Sequence, residues 1–187
     1  GVLPVCLGNA TKLCDMLTDK SKEYVTTMRL GFCTDTQDIS GEVLETKEVS
    51  VTEENVKEAV LSFAGKYEQI PPMYSALKVN GKKLYELARE GIEIERKARS
   101  IEIFTIEILD ISLPDITMRV HCSKGTYIRT LCHDIGLKLG CYGTMVTLER
   151  IKVASFLLEN AYKLSEIEKK VKKEKLEDIL TRTEDMF

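Results

Sequence analysis

Segments with the composition of β-strands follow one another along much of this chain, and helical patterns interrupt them at irregular intervals. Residues 22–30 (KEYVTTMRL) are rich in β-branched side chains, and two further strand patterns, residues 100–111 and 116–122, stand in direct succession. A parallel βαβ arrangement would instead alternate strands and helices regularly. The sequence therefore predicts an α+β fold with a mixed, mainly antiparallel sheet flanked by helices.

Local capping and turn signals predict several further elements. Asn9 and Thr52 are residue types that cap helices, so a short helix is expected after the first and a longer one after the second. Asn80–Gly81 is a two-residue hairpin signal. A strand is expected over residues 43–51 and a helix over about 126–139.

The bulk composition is that of an ordinary globular domain. The 187 residues are 43% hydrophobic and 30% charged, and no apolar run approaches the roughly 18 residues that a membrane span needs. The six cysteines form no CxxC pair and the two histidines lack zinc-site spacing, so neither a metal site nor a cofactor is expected. Reduced, buried thiols of a cytoplasmic protein explain the cysteines better.

Charge is spread unevenly, although the net charge is only −3. Residues 38–58 hold seven acidic residues and two lysines, whereas residues 117–152 hold six basic residues and two acidic ones. A second basic cluster lies within residues 78–99. Charge alone leaves two interpretations open, a solvated surface or a face that tracks nucleic-acid phosphates.

Three segments concentrate polar and aromatic residues where turns meet regular structure: residues 22–38, 69–78 and 122–130. In the third, a strand pattern ends in Ser-Lys-Gly and a helix follows, which could bind a phosphate or simply cap the helix. In the first, Tyr24, Asp35 and Asp38 could equally be structural, as a sheet tyrosine and turn-stabilising carboxylates. Neither a Ser-His-Asp nor a Cys-His arrangement stands out.

Four blocks of the sequence carry a family resemblance. They are GVLPVCLGNATK (residues 1–12), KEYVTTMRLG with TDTQD and a closing glycine (22–41), QIPPMYSALKVNGKKLYELAREG (69–91) and HCSKGTYIRTL with DIG and LG (121–140). In order and spacing they closely resemble bacterial tRNA pseudouridine synthases of the TruB type, from Gly1 to about Ala161. The resemblance implies a pseudouridine-synthase-like core.

The resemblance also implies an activity, the isomerisation of uridine 55 in the T loop of tRNA to pseudouridine through base flipping. In the family the catalytic aspartate belongs to a G-x-L-D-P-x-A-T-G motif, and Gly1 resembles the last glycine of that motif. The nucleophilic aspartate is therefore expected to lie outside these 187 residues, and the chain alone is expected to be inactive.

Five residues acquire expected roles from the same resemblance. Tyr24 matches a tyrosine that stacks on the target uracil and helps to remove the C5 proton, and Arg129 matches the arginine that pairs with the catalytic aspartate. Asp38 and Tyr127 match residues that contact the flipped nucleotide. Leu148 matches an apolar residue of the uracil pocket.

The expected partner is the T stem-loop of tRNA, with no membrane involved. The basic residues expected on the RNA backbone are Lys78, Lys82, Lys83 and Lys124. Residues 1–163 are expected to form a partial catalytic core, and residues 164–187 a charged helical segment leading towards an absent RNA-binding domain. Full-length members are expected to be monomeric, while this chain could self-associate through exposed surface. The alternative hypothesis is a non-catalytic tRNA-binding or folding module.

Overall fold

An antiparallel sheet forms the centre of the computed structural model, which describes residues 1–172 and 176–185. Six strands stand in the order β10–β9–β1–β8–β7–β4, and each neighbouring pair is antiparallel. These strands are β1 (Lys22–Leu30), β4 (Gly65–Gln69), β7 (Arg99–Ser112), β8 (Asp115–Cys122), β9 (Gly143–Val153) and β10 (Phe156–Leu157). The predicted α+β class with a mainly antiparallel sheet is confirmed.

Two small hairpins and five α-helices accompany this sheet within the described residues. The hairpins are β2 (Phe32–Thr34) with β3 (Val43–Thr46), and β5 (Lys78–Val79) with β6 (Lys82–Lys83). The α-helices are α1 (Cys14–Thr18), α2 (Glu53–Leu61), α3 (Leu84–Arg89), α4 (Ile128–Lys138) and α5 (Leu164–Lys172). Short 3₁₀ helices cover Gly8–Leu13, Leu158–Asn160, Leu176–Ile179 and Thr183–Asp185.

Most of the local signals act as predicted. Thr52 caps α2 in a capping box with Asn55, whose backbone N–H donates to the Thr52 hydroxyl. Asn80 and Gly81 both adopt positive φ and join β5 to β6, as the hairpin signal requires.

Two local predictions were wrong at their boundaries. Asn9 does not cap a helix, because the chain turns one residue earlier, at Gly8 with a φ of 56°, and Asn9 lies inside a 3₁₀ helix. The strand expected over residues 43–51 ends at Thr46, because its partner β2 is only three residues long and the pairing stops where Thr46 faces Phe32.

Helices α2 and α4 cover one face of the sheet and bury the core. The buried cluster takes alternate residues of β1 and β8 together with one face of α4; its members include Met28, Ile116, Met118, Val120, Leu131 and Ile135. Gly136 lets α4 approach β9 closely, since a Cβ atom there would lie 2.0 Å from the backbone nitrogen of Gly143. The C-terminal turn of α4 is therefore held against the start of β9, the strand that carries Leu148.

Four of the six cysteines, Cys33, Cys122, Cys132 and Cys141, are buried as free thiols. Burial raises the thiol pKa of Cys122 to about 11 and that of Cys132 to about 12, so both stay protonated at neutral pH. Within residues 1–172 and 176–185, no helix is both long and apolar enough to cross a membrane. Residues 173–175, 186 and 187 of the predicted charged tail lie outside the described residues.

Candidate active site

The side chain of Arg129 joins the three polar segments of the sequence. Its Nη1 donates to Oδ2 of Asp38 at 3.1 Å, and its Nη2 donates to the backbone carbonyl of Tyr74 at 2.5 Å. A longer contact of 3.4 Å reaches the carbonyl of Thr36. One guanidinium thus links the loop after β2, the segment after β4 and the first turn of α4.

Arg129, Thr36, Asp38, Tyr74 and Asp35 together form the Arg129 cluster. Asp38 is the most strongly hydrogen-bonded carboxylate of this cluster. The hydroxyl of Thr36 donates to its Oδ1 at 2.9 Å, and both the amide and the hydroxyl of Ser40 donate to the same oxygen. Partial burial opposes ionisation, but the hydrogen bonds from Ser40 and Thr36 and the charge of Arg129 outweigh it, so the pKa of Asp38 is lowered. Asp38 is therefore ionised at neutral pH and fixed in direction.

The Asp38 loop is itself anchored to the sheet and to α4. The backbone of Ile39 donates to Met145 on β9 at 2.9 Å, and Met145 donates to Gln37 at 3.2 Å. The hydroxyl of Thr130 on α4 donates to Oε1 of Gln37 at 2.7 Å. Since two elements hold the loop, Asp38 cannot swing away from Arg129 without breaking several other contacts.

Tyr74 and Asp35 form a second bridge across the cluster. The Tyr74 hydroxyl donates to Oδ2 of Asp35 at 3.1 Å, and this hydrogen bond raises the tyrosine pKa. The other oxygen of Asp35 accepts the amide of Glu42 at 2.8 Å. Asp35 therefore has the turn-stabilising role that the sequence left open for it.

Tyr24 and Leu148 lie on the neighbouring strands β1 and β9. Tyr24 is half-buried on β1 and packs against the core, with Arg150 of β9 as its cross-strand partner. Burial and the neighbouring Cys122 raise the pKa of its hydroxyl, against a smaller opposing effect of Arg150. Leu148, opposite Thr26, is 45% exposed. An aromatic ring and an exposed apolar side chain thus flank the same part of the sheet.

Tyr127 stands at the N-cap of α4, two residues before Arg129. Its backbone is extended, with a φ of −100° and a ψ of 107°, and its own side chain makes no capping hydrogen bond. The turn before it is tied to β7, because the Glu102 amide donates to Oγ of Ser123 at 2.9 Å and the Ser123 amide donates to the Glu102 carbonyl. The helix starts at Ile128, slightly later than predicted.

Gln69 is a site residue that reasoning from the sequence missed. It is 1% exposed at the end of β4, its Oε1 accepts the Tyr127 amide at 2.8 Å, and its Nε2 donates to the Tyr127 carbonyl at 3.1 Å. The only sequence signal was its place at the start of the segment QIPPMYSALK.

The four lysines expected on the RNA backbone have different surroundings. Lys78 is exposed on β5, while Lys82 pairs with Glu90 at 3.5 Å. Lys83 is half-buried and donates to the Tyr85 hydroxyl at 3.2 Å. Lys124, in the turn before α4, pairs with Asp19 at 2.8 Å. Three of these lysines therefore lie on one hairpin, next to the Tyr74 segment, and Lys124 is held elsewhere by an acidic partner.

Among the described residues, no group of three or more His, Cys, Asp or Glu side chains is placed to hold a metal ion. The residues around Arg129 instead offer the fixed carboxylate of Asp38, a guanidinium held in one direction and the half-buried ring of Tyr74. This arrangement can orient a second carboxylate and a planar base.

Solved structures with the same fold include the crystal structure of a Cbf5–Nop10–Gar1 complex, which matches 96% of this chain and 45% of its own chain with a TM-score of 0.72 and 30% identity. An archaeal box H/ACA sRNP Nop10–Cbf5 complex matches with a TM-score of 0.67, at 27% identity over 96% of this chain and 44% of its own. The fold is that of the pseudouridine-synthase core.

Two family models cover the chain: "TruB family pseudouridylate synthase (N terminal domain)" over residues 1–128 and "tRNA pseudouridylate synthase B C-terminal domain" over residues 129–187. The chain belongs to the TruB family of pseudouridylate synthases. It is 51% identical to tRNA pseudouridine synthase B of Alkaliphilus oremlandii over 180 residues, which make up 96% of this chain and 59% of that protein. The counterpart from Clostridium acetobutylicum is 53% identical over 156 residues, 83% of this chain and 54% of that protein. The chain thus spans less than two thirds of the length of these relatives.

Proposed function

We propose that this protein serves the isomerisation of uridine 55 in the T loop of tRNA to pseudouridine. The observation that carries the proposal is the contact between Arg129 and Asp38, which brings two of the resembling sequence blocks together at the start of α4. Membership of the TruB family and relatives named tRNA pseudouridine synthase B support it.

The reaction is balanced without a cofactor. The C1′–N1 bond of the uridine breaks, the base turns, a C1′–C5 bond forms, and the proton leaves C5 while N1 gains one. No atoms or electrons are added overall, so the protein has to supply a nucleophile, proton transfer and an enclosed site for a flipped base.

Arg129 is proposed to orient the catalytic carboxylate that the family resemblance implies. A guanidinium carries five N–H donors, and the contacts with Asp38, Thr36 and Tyr74 engage only its two terminal nitrogens. A second carboxylate can therefore be received at the remaining donors. The pairing with Asp38 would keep the guanidinium aimed while the chemistry proceeds.

Tyr24 is proposed to stack on the target uracil. Because its pKa is raised, its hydroxyl is protonated at neutral pH, so it would assist removal of the C5 proton as a hydrogen-bonding phenol rather than as a free phenolate. Tyr127 and Leu148 would complete the nucleotide pocket, with Leu148 keeping water from the base. Asp38 would contact the flipped nucleotide.

Lys78, Lys82, Lys83 and Lys124 are proposed to contact tRNA phosphates, which supplies affinity but no sequence information. Residues 1–163 are proposed as the catalytic core. Residues 164–187 are proposed as a charged segment outside it, supported by the exposed Leu164 and Val171 on α5.

Tritium release tests the activity. The full gene product would be incubated with a tRNA transcript carrying [5-³H]uridine, because moving the glycosidic bond to C5 expels that hydrogen. Release that disappears when the T-loop uridine is replaced by cytidine supports the proposal. Tight tRNA binding without any release overturns it and favours the non-catalytic binding module.

A further inference from the structure

A fully buried amide lies beneath the proposed active site. Gln69 is 1% exposed at the end of β4, one of the two edge strands of the six-stranded sheet. Burying an amide is costly unless its polar atoms are hydrogen-bonded, so the hydrogen-bond partners of Gln69 indicate its role.

Both polar atoms of this amide bind the same residue, Tyr127, which is the N-cap of α4. Oε1 of Gln69 accepts the Tyr127 amide at 2.8 Å, and Nε2 donates to the Tyr127 carbonyl at 3.1 Å. Nε2 also reaches the hydroxyl of Tyr67 at 2.5 Å, two residues away on β4. The two bonds to Tyr127 form a closed ring that fixes the peptide groups on either side of its Cα.

The start of helix α4 depends on these two hydrogen bonds, because its N-cap residue makes no side-chain capping hydrogen bond. The Tyr127 carbonyl accepts the first helical hydrogen bond, from the amide of Leu131 at 3.0 Å, and receives Gln69 as well. A residue 58 positions earlier in the chain therefore defines where the helix begins.

The first turn of α4 carries the groups that the proposed chemistry needs. Arg129, one residue into the helix, must reach Asp38 at 3.1 Å and the Tyr74 carbonyl at 2.5 Å at the same time. A small shift or rotation of the helix start would break these contacts and displace the Tyr127 side chain. Misplacement of catalytic groups by about 1 Å can reduce a rate by about 100-fold.

We infer that Gln69 is a positioning residue for the isomerisation: its amide clamps the Tyr127 backbone and thereby aims Arg129 and the Tyr127 side chain at the reacting nucleotide. Gln69 does not touch the substrate. The inference rests on the proposed function, since it concerns the rate of that reaction.

The test uses Gln69→Leu in the full gene product, a change that keeps the approximate volume and removes both hydrogen bonds. We expect the single-turnover rate of tritium release at saturating tRNA to fall by about 10- to 100-fold, with unchanged tRNA affinity. The assay temperature is kept well below the melting temperature of every variant, and each rate is expressed per folded molecule.

Ile116→Val is the matched control for lost stability. Ile116 is fully buried in the core. It lies near the start of β8, which is the end of that strand farther from α4 along the sequence. This variant is expected to melt at a lower temperature and to keep the wild-type rate per folded molecule. A Gln69→Leu variant that behaves like this control has lost only stability, and that result would overturn the inference.

A double-mutant cycle shows whether Gln69 acts through Arg129. In an Arg129→Met background, adding Gln69→Leu is expected to slow the reaction by less than it does in the wild type, because one of the two groups that Gln69 aims is already gone. Independent, multiplying effects would contradict the inference. If the proposed function itself is wrong, the wild-type protein releases no tritium, which distinguishes that outcome from a failure of this inference alone.

Discussion

Arg129 and Asp38 lie 91 positions apart in the chain, yet Nη1 of one approaches Oδ2 of the other at 3.1 Å. Both side chains are largely shielded, with 24% and 19% of their surface exposed. The contact closes a cluster in which a loop, an extended segment and a helix start share one guanidinium. It makes the cluster a rigid unit.

Replacing Asp38 by Asn should lower the free energy of unfolding by about 1.5–3 kcal/mol, the range for a hydrogen bond to a charged group. Because the folded-state pKa of Asp38 is lowered, its contribution is present at neutral pH and is lost as the pH falls below about 4. Denaturant unfolding at pH 7 and pH 3 measures both effects. Glu107→Gln, which breaks the more exposed pair with Arg119, is the control and should cost less than about 1 kcal/mol. Equal losses for the two variants would show that the Asp38 contact is an ordinary surface pair.

Asp134 on α4 predicts a pH effect of the opposite sign. Burial raises its pKa to about 6, above the roughly 3.9 of an unfolded chain, so its ionisation destabilises the fold at neutral pH. As the pH falls from above 6 towards 4, Asp134 is protonated in the folded state and the free energy of unfolding should rise. Asp134→Asn should therefore raise the melting temperature at pH 7.5, and the difference should shrink at pH 5. The exposed Glu48→Gln is the control; a pH-independent difference for Asp134→Asn would contradict the prediction.

The lysines of the β5–β6 hairpin should contribute to tRNA affinity through phosphates alone. Changing Lys78 to Ala should weaken binding and reduce the slope of log K against log salt by about 1. Fluorescence titrations at several salt concentrations measure the slope. Lys57→Ala, which removes an exposed lysine of α2 paired with Glu53, should leave it unchanged. If the two variants had the same slope, the hairpin would not be a phosphate-binding surface.

The sequence predicted those parts of the fold that depend on neighbouring residues. The strand at residues 22–30, the Thr52 cap and the Asn80–Gly81 hairpin each depend on a few adjacent side chains, and each forms as expected. The strand after residue 43 was predicted too long, because the short length of its partner β2 cannot be seen from its own composition.

The site was predictable only as a set of residue types. Tyr24, Asp38, Tyr127 and Arg129 could be named from the resembling blocks, but their contacts depend on tertiary packing. Gln69 was missed because its partner, the backbone of Tyr127, has no sequence signature. The start of α4 was predicted early for the same reason, since the clamped Tyr127 peptide is extended rather than helical.

The most direct test of the central claim, that the Arg129 cluster is the active site of a uridine isomerase, is a comparison of two arginine variants in the full gene product. Arg129→Met should lower the single-turnover rate of tritium release from [5-³H]uridine tRNA by about 100-fold or more, the cost of removing a preorganised charge-stabilising donor. Arg119→Met, which removes an arginine paired with Glu107 on β8 and β7, should keep the wild-type rate. Equal rates for the two variants would contradict the account.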